Sequence, residues 1–119
     1  MINLEDRVKP VFITDNETKE RYELDFSRES VKFAEARGFE IDSVAKFPAT
    51  KIPELFFYAF RKNHRKMARA NTDALMESMN GLSGALLERL IQLYQQAGLS
   101  HVIQTDEEAE KNSAVTVEL

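Results

Sequence analysis

Apolar and polar residues alternate along RYELDF, residues 21–26. Tyr22, Leu24 and Phe26 fall on one face and Arg21, Glu23 and Asp25 on the other. Period-two alternation marks a strand with one buried face. Upstream, VFIT (11–14) is a short β-rich run, and DNETKE (15–20) between the two is polar and turn-prone. Residues 9–26 therefore predict a β-hairpin. A lone hairpin is only marginally stable, so its apolar face must rest on helices or on another sheet.

The period then changes. SRESVKFAEARGF predicts a helix from Ser27 to Arg37. Ser27 can cap it, Val31, Ala34 and Phe33 turn inward, and Gly38 suits the position just past the end, with Phe39 supplying the apolar contact. Residues 41–46 predict one further turn. In FPATKIP, Pro48 and Pro53 are punctuation. Thr50 is the expected N-cap of the second main helix, with Pro53 in its first turn. Its inward stripe is Ile52, Leu55, Phe56, Ala59 and Phe60, and it is expected to run to Asn63 or one turn beyond. A further helix restarts at Asn71 or Thr72, with Leu75, Met76 and Met79 as its apolar positions. Gly81 and Gly84 interrupt it. Ser83 then caps GALLERLIQLYQQAGL, whose stripe is Leu86, Leu87, Leu90, Ile91 and Tyr94, supported by Leu93; Gly98 ends or loosens it. After Ile103 the chain turns acidic and polar, which reads as a solvated tail. VTVEL at the end is β-prone, a candidate edge strand for this molecule or another.

The elements add up to an α+β, mostly α-helical fold: an N-terminal β-hairpin packed on a bundle of about four helices, with an acidic flexible C-terminal tail. Residues 1–103 form the expected single domain and 104–119 the tail. A length of 119 residues with 43% hydrophobic content suits one core and not two. There is no cysteine, which removes disulfides, thiolate nucleophiles and cysteine metal sites and fits a cytosolic setting. MINLEDRVKP has early acids and no apolar run, so no secretory signal is expected, and the longest apolar run, LFFYAF, is too short to span a membrane.

Charge changes the picture more than composition does. Between Lys51 and Ala70, six basic residues (Lys51, Arg61, Lys62, Arg65, Lys66, Arg69) face Glu54 alone, whereas from Thr105 onward five acids face Lys111 alone. A basic middle and an acidic end sit inside a net charge of −4. On a continued helix Arg61, Arg65 and Arg69 would share one side, as phosphate contacts do. Phe56 and Phe60, however, belong to the inward stripe and are poor base-stacking groups. The helix after the glycines carries only Arg89 as a base, unlike a recognition helix. Nucleic acid is thus disfavoured. A membrane-surface helix is disfavoured too, because the charges gather at one end and not along a face.

Catalytic chemistry has little to work with. His64 and His101 are the only histidines and are far apart, no HExxH pattern occurs, and no serine sits in a nucleophile elbow. No metal, cofactor or catalytic residue is expected. Phe57 and Tyr58 fall outside the main stripe, and methionines adapt to varied partners. Phe57, Tyr58, Met76, Met79 and Leu93 are therefore the candidate partner-binding or self-association residues, with Arg61, Lys62, Arg65 and Lys66 as a candidate polar rim.

Three stretches, RYELDFSRESVKFAEARGFEID (21–42), FPATKIPELFFYAFRKNH (47–64) and ALLERLIQLYQQA (85–97), together resemble the tail assembly chaperones of long-tailed bacteriophages and of prophages of Gram-positive bacteria. The resemblance spans roughly residues 10–119 and includes the acidic end followed by VTVEL. It implies a mostly helical, non-catalytic protein without cofactor that binds the phage tape-measure protein and keeps its apolar helical segments soluble during tail assembly. It further implies a location in the host cytoplasm and absence from the mature virion. A nucleic-acid-binding phage regulator and a structural or connector protein of the virion are the alternatives.

Overall fold

In the computed structural model, which describes residues 7–99 and 118–119, a two-stranded antiparallel hairpin packs against helices. The strands are β1 (Val11–Thr14) and β2 (Arg21–Leu24), paired with Val11 opposite Leu24 and Thr14 opposite Arg21. The Asp15 carboxylate closes the turn by accepting from the Glu17 amide at 2.9 Å, and Lys19 adopts a positive φ of 67°. Leu24 and Phe26 are buried and Tyr22 half-buried, as the alternation predicts. Asp25 departs from it. It is only 8% exposed, because its carboxylate accepts from the Lys62 ammonium at 2.6 Å and from the Phe26 amide at 2.8 Å. A buried carboxylate persists only with such partners.

Helix α1 (Arg28–Ala36) starts at a reciprocal cap. Ser27 accepts from the Ser30 amide and Ser30 from the Ser27 amide. It ends in a Schellman turn: the Phe39 amide donates to Ala34 and the Gly38 amide to Glu35, with Gly38 at φ 84°. Phe39 swings back into the core, 2% exposed. The single-turn α2 (Ser43–Lys46) follows.

Helix α3 (Pro48–Tyr58) begins earlier than expected. Pro48 takes the first helical position, where its fixed φ fits and its missing N–H goes unneeded. Thr50 is therefore inside the helix, not its cap, and Pro53 is interior as well. The helix also stops early. Its last turn tightens, with the Phe60 amide donating to Phe57 and the Arg61 amide to Tyr58. The Ala59 carbonyl turns outward to accept from the Asp25 amide at 3.2 Å. Residues 59–68 then run as successive turns, so the predicted continued helix carrying Arg61, Arg65 and Arg69 along one side does not form.

Helix α4 (Arg69–Ser78), with Ala68 as its N-cap, starts two to three residues earlier than expected and closes in a second Schellman turn. The Asn80 amide donates to Glu77 and the Gly81 amide to Met76, with Asn80 at φ 58°. Helix α5 (Gly84–Leu99) opens where Ser83 Oγ accepts from the Leu86 amide at 3.1 Å. Within α5, Leu90, Leu93, Tyr94 and Ala97 are buried, while Leu86, Leu87 and Ile91 are half-buried. Leu93 is thus central to the stripe. Gly98 does not end the helix; it lies against Val31, where an added Cβ would meet Cγ1 at 3.6 Å.

The core joins the hairpin to α1, α3 and α5 through edge-to-face aromatic pairs. Phe26 meets Tyr94 at 5.1 Å, Phe39 meets both Tyr58 at 5.3 Å and Tyr94 at 5.5 Å, and Tyr22 meets Phe60 at 5.5 Å. The acidic segment and all of VTVEL except its last two residues lie outside the described residues. Among the described residues, no helix is long and apolar enough to cross a membrane.

Candidate interaction site

The turns that replace the expected helix put the basic residues to local use. Lys62 pairs with Asp25, and Arg69 pairs with Asp73 at 2.9 Å one turn along α4. The next residue, Asn63, and then His64 run beside the outer edge of β2. The Glu23 amide donates to His64 Nε2 at 3.0 Å. His64 also stacks edge-on against Tyr22 at 5.3 Å. Its role visible here is to satisfy a strand edge.

Arg61 and Arg65 reach in another direction, to α1. Both approach Glu29 Oε1, Arg61 at 3.6 Å and Arg65 at 3.3 Å. The Arg61 guanidinium lies 3.9 Å from the centre of the Phe33 ring, and the Arg37 guanidinium lies 4.1 Å from the same centre. Arg61 Nε is buried with no hydrogen-bond partner among the described residues. Glu29 and Phe33 on α1 and Arg37, its C-cap, are spaced four apart and so share a face. Neither Phe33 nor Arg37 was a predicted site residue, although this spacing in the sequence is the signal that could have found them.

The predicted partner-binding residues separate into two groups. Leu93 is 0% and Tyr58 6% exposed, so neither belongs to the surface of the folded chain. Tyr58 is buried because α3 wraps core around more than one side, between Phe33 and Phe39. Phe57 is half-buried against the core, tilted on Tyr58 at 5.4 Å. Met76 is half-buried and Met79 is 38% exposed, both at the C-terminal end of α4. Met76 lines an open depression between α3 and α4, together with Pro53, Gly81 and Asn80; Arg69, Asp73 and Glu77 give it charged walls. Of the predicted rim, Arg61 and Arg65 come together, Lys62 is drawn away to Asp25, and Lys66 is exposed.

The depression is open to solvent and bordered by methionine and paired charges. Such a surface can take an apolar segment of another chain, since methionine side chains repack around varied partners. Among the described residues, no group of three or more His, Cys, Asp or Glu side chains could hold a metal ion.

Neither a curated protein nor a solved structure matches the chain. A family described as domain of unknown function (DUF5055) matches it over residues 7–119. That match takes in the hairpin, the five helices among the described residues and the acidic end, and the chain belongs to this family.

Proposed function

We infer that the chain is a non-catalytic tail assembly chaperone that binds the tape-measure protein of a long-tailed phage and keeps it soluble during tail assembly. The observation that carries this reading is the α3–α4 depression, an open concave surface lined by Met76 and Pro53 between the charged side chains of Arg69, Asp73 and Glu77. A client made of long amphipathic helices offers apolar stripes that need such a surface until they are packed into the tail tube. The likeness of residues 21–42, 47–64 and 85–97 to these chaperones supports the same reading. On it, the protein acts in the host cytoplasm and is absent from the finished virion. Self-association through the same surface would compete with the client.

The regulator reading loses its main support because the continued basic helix does not form and Lys62 and Arg69 pair closely with Asp25 and Asp73 of the same chain. Co-expression with the tape-measure protein tests the proposal. The two should co-purify, and Met76→Glu should cut the recovered complex by about tenfold, the effect expected when a charge is forced into an apolar contact. Failure to co-purify, or a complex indifferent to Met76→Glu, would count against this surface and client. Presence of the chain in purified virions would favour the connector reading instead.

A further inference from the structure

The guanidinium groups around Phe33 are under-neutralised. Arg37 and Arg61 stand 4.1 and 3.9 Å from one ring centre, so two like charges share a single aromatic ring. Arg65 joins them through Glu29, whose single Oε1 faces both Arg61 and Arg65 at distances above 3.2 Å. Among the described residues, one carboxylate thus answers Arg61 and Arg65 through long contacts, and none pairs with Arg37. The Phe33 ring offers each cation an attractive face but no countercharge. The Arg61 and Arg65 side chains are 25% and 62% exposed, so the cluster is open to an incoming group. Further donors remain, since each guanidinium carries five N–H groups in a rigid fork that matches a carboxylate. Arg61 Nε is already buried without a partner.

We propose that the face formed by Phe33, Arg37, Arg61 and Arg65 is a docking surface for a carboxylate-rich segment of a partner protein. Bringing carboxylates there supplies the countercharge that the Phe33 ring does not. Complementary charge of this kind chiefly sets encounter rate and partner choice. A carboxylate partner fits better than a nucleic acid. Glu29 stands between Arg61 and Arg65 and repels a continuous phosphate backbone laid across both. A protein segment can place discrete carboxylates on either side of Glu29. The surface is built from α1 and the 61–65 turns and shares no residue with the α3–α4 depression, and the proposal does not rest on the chaperone reading.

Titration of the isotope-labelled full chain with a synthetic glutamate oligomer, followed by NMR, tests it without any client. The Phe33, Arg37 and Arg65 amides and the arginine Nε–H signals should shift saturably, and added salt should suppress the shift. A full-length Arg37→Gln, Arg65→Gln variant should bind at least about tenfold more weakly, both side chains being exposed and their loss tolerable to the fold. A Lys19→Gln, Lys46→Gln variant, altered away from the cluster, should bind as the parent does. Absence of a saturable shift, or equal loss in the two variants, overturns the proposal. So does a DNA duplex that moves the same signals at lower concentration, which would make the surface a phosphate site. Binding seen only after Asp106, Glu107, Glu108 and Glu110 are neutralised in the full chain also overturns it, by assigning the surface to the chain's own acidic segment.

Discussion

Tyr94 is wedged between Phe26 and Phe39, with ring centres at 5.1 and 5.5 Å, and is 5% exposed. Burial, with smaller contributions from Glu35 and Tyr58, pushes its phenol up from the ordinary 10.0 to about 12. The phenolate is the charged form, and burial disfavours it. Between those two values the unfolded chain has lost this proton and the folded chain has kept it. The unfolded state then binds fewer protons, so stability falls as pH rises through the window and is unaffected by this group below it. Tyr58 and Tyr22 are raised in the same direction, also chiefly by burial. Urea denaturation on either side of the window should show alkaline destabilisation that is shallower in Tyr94→Phe, which has no proton to lose. An identical slope in the two proteins would remove Tyr94 from the effect. The same residue sits in the inward stripe read from GALLERLIQLYQQ, so this part of the core was legible one side chain at a time.

The hairpin shows how one element is completed by another. Ladder bonds to β1 engage alternate residues of β2, leaving the amides of Glu23 and Asp25 facing outward. Both are taken, by His64 Nε2 and by the Ala59 carbonyl. The strand β1 has no such cover among the described residues on its outer side, where Phe12 is 49% exposed. Amide hydrogen exchange should therefore find Glu23 and Asp25 protected and Phe12 and Thr14 fast, an asymmetry that a bare two-stranded ribbon would lack. Exchange at Glu23 as fast as at Phe12 would mean that the 59–64 turns do not cover the edge in solution. Periodicity revealed both strands, the Ser27 cap and the Gly38 stop because each is written in neighbouring residues. It missed the end of α3 because that end is set by Asp25, far away in sequence, drawing off the Ala59 carbonyl and the Lys62 ammonium. A run of good helix formers such as FRKNHRKMAR carries no local sign of that competition. For the same reason Arg37 escaped notice as a neighbour of Arg61. The methionines at 76 and 79 were legible as surface candidates because their helix has few other apolar positions to bury.

At the scale of the whole molecule, the helices are unequally held. Helices α1, α3 and α5 share the buried cluster with the hairpin, whereas α4 packs substantially on α3 alone. Its one buried residue is Thr72, whose hydroxyl donates to the Arg69 carbonyl at 3.0 Å within its own first turn. Leu75 and Met76 are only half-buried, so little apolar area is lost to water if α4 swings away. Regions with few buried contacts open at a free energy below that of global unfolding. Native-state hydrogen exchange in low denaturant should then show the α4 amides opening as a unit before those of α3 and α5. Leu75→Ala should lower global stability by about 1 kcal/mol, against about 2–5 kcal/mol for the fully buried Leu55→Ala. The depression lies along this weak seam, with Pro53 on α3 and Met76, Glu77 and Asn80 on the α4 side. A client seated there would bridge the two helices and bind the closed arrangement more tightly than the open one. It should therefore slow exchange in α4 selectively and leave α5 unchanged, since a ligand shifts only the equilibrium whose two states it distinguishes. If α4 amides exchange only through global unfolding, the seam is not a separate unit and the depression is a fixed feature of the surface.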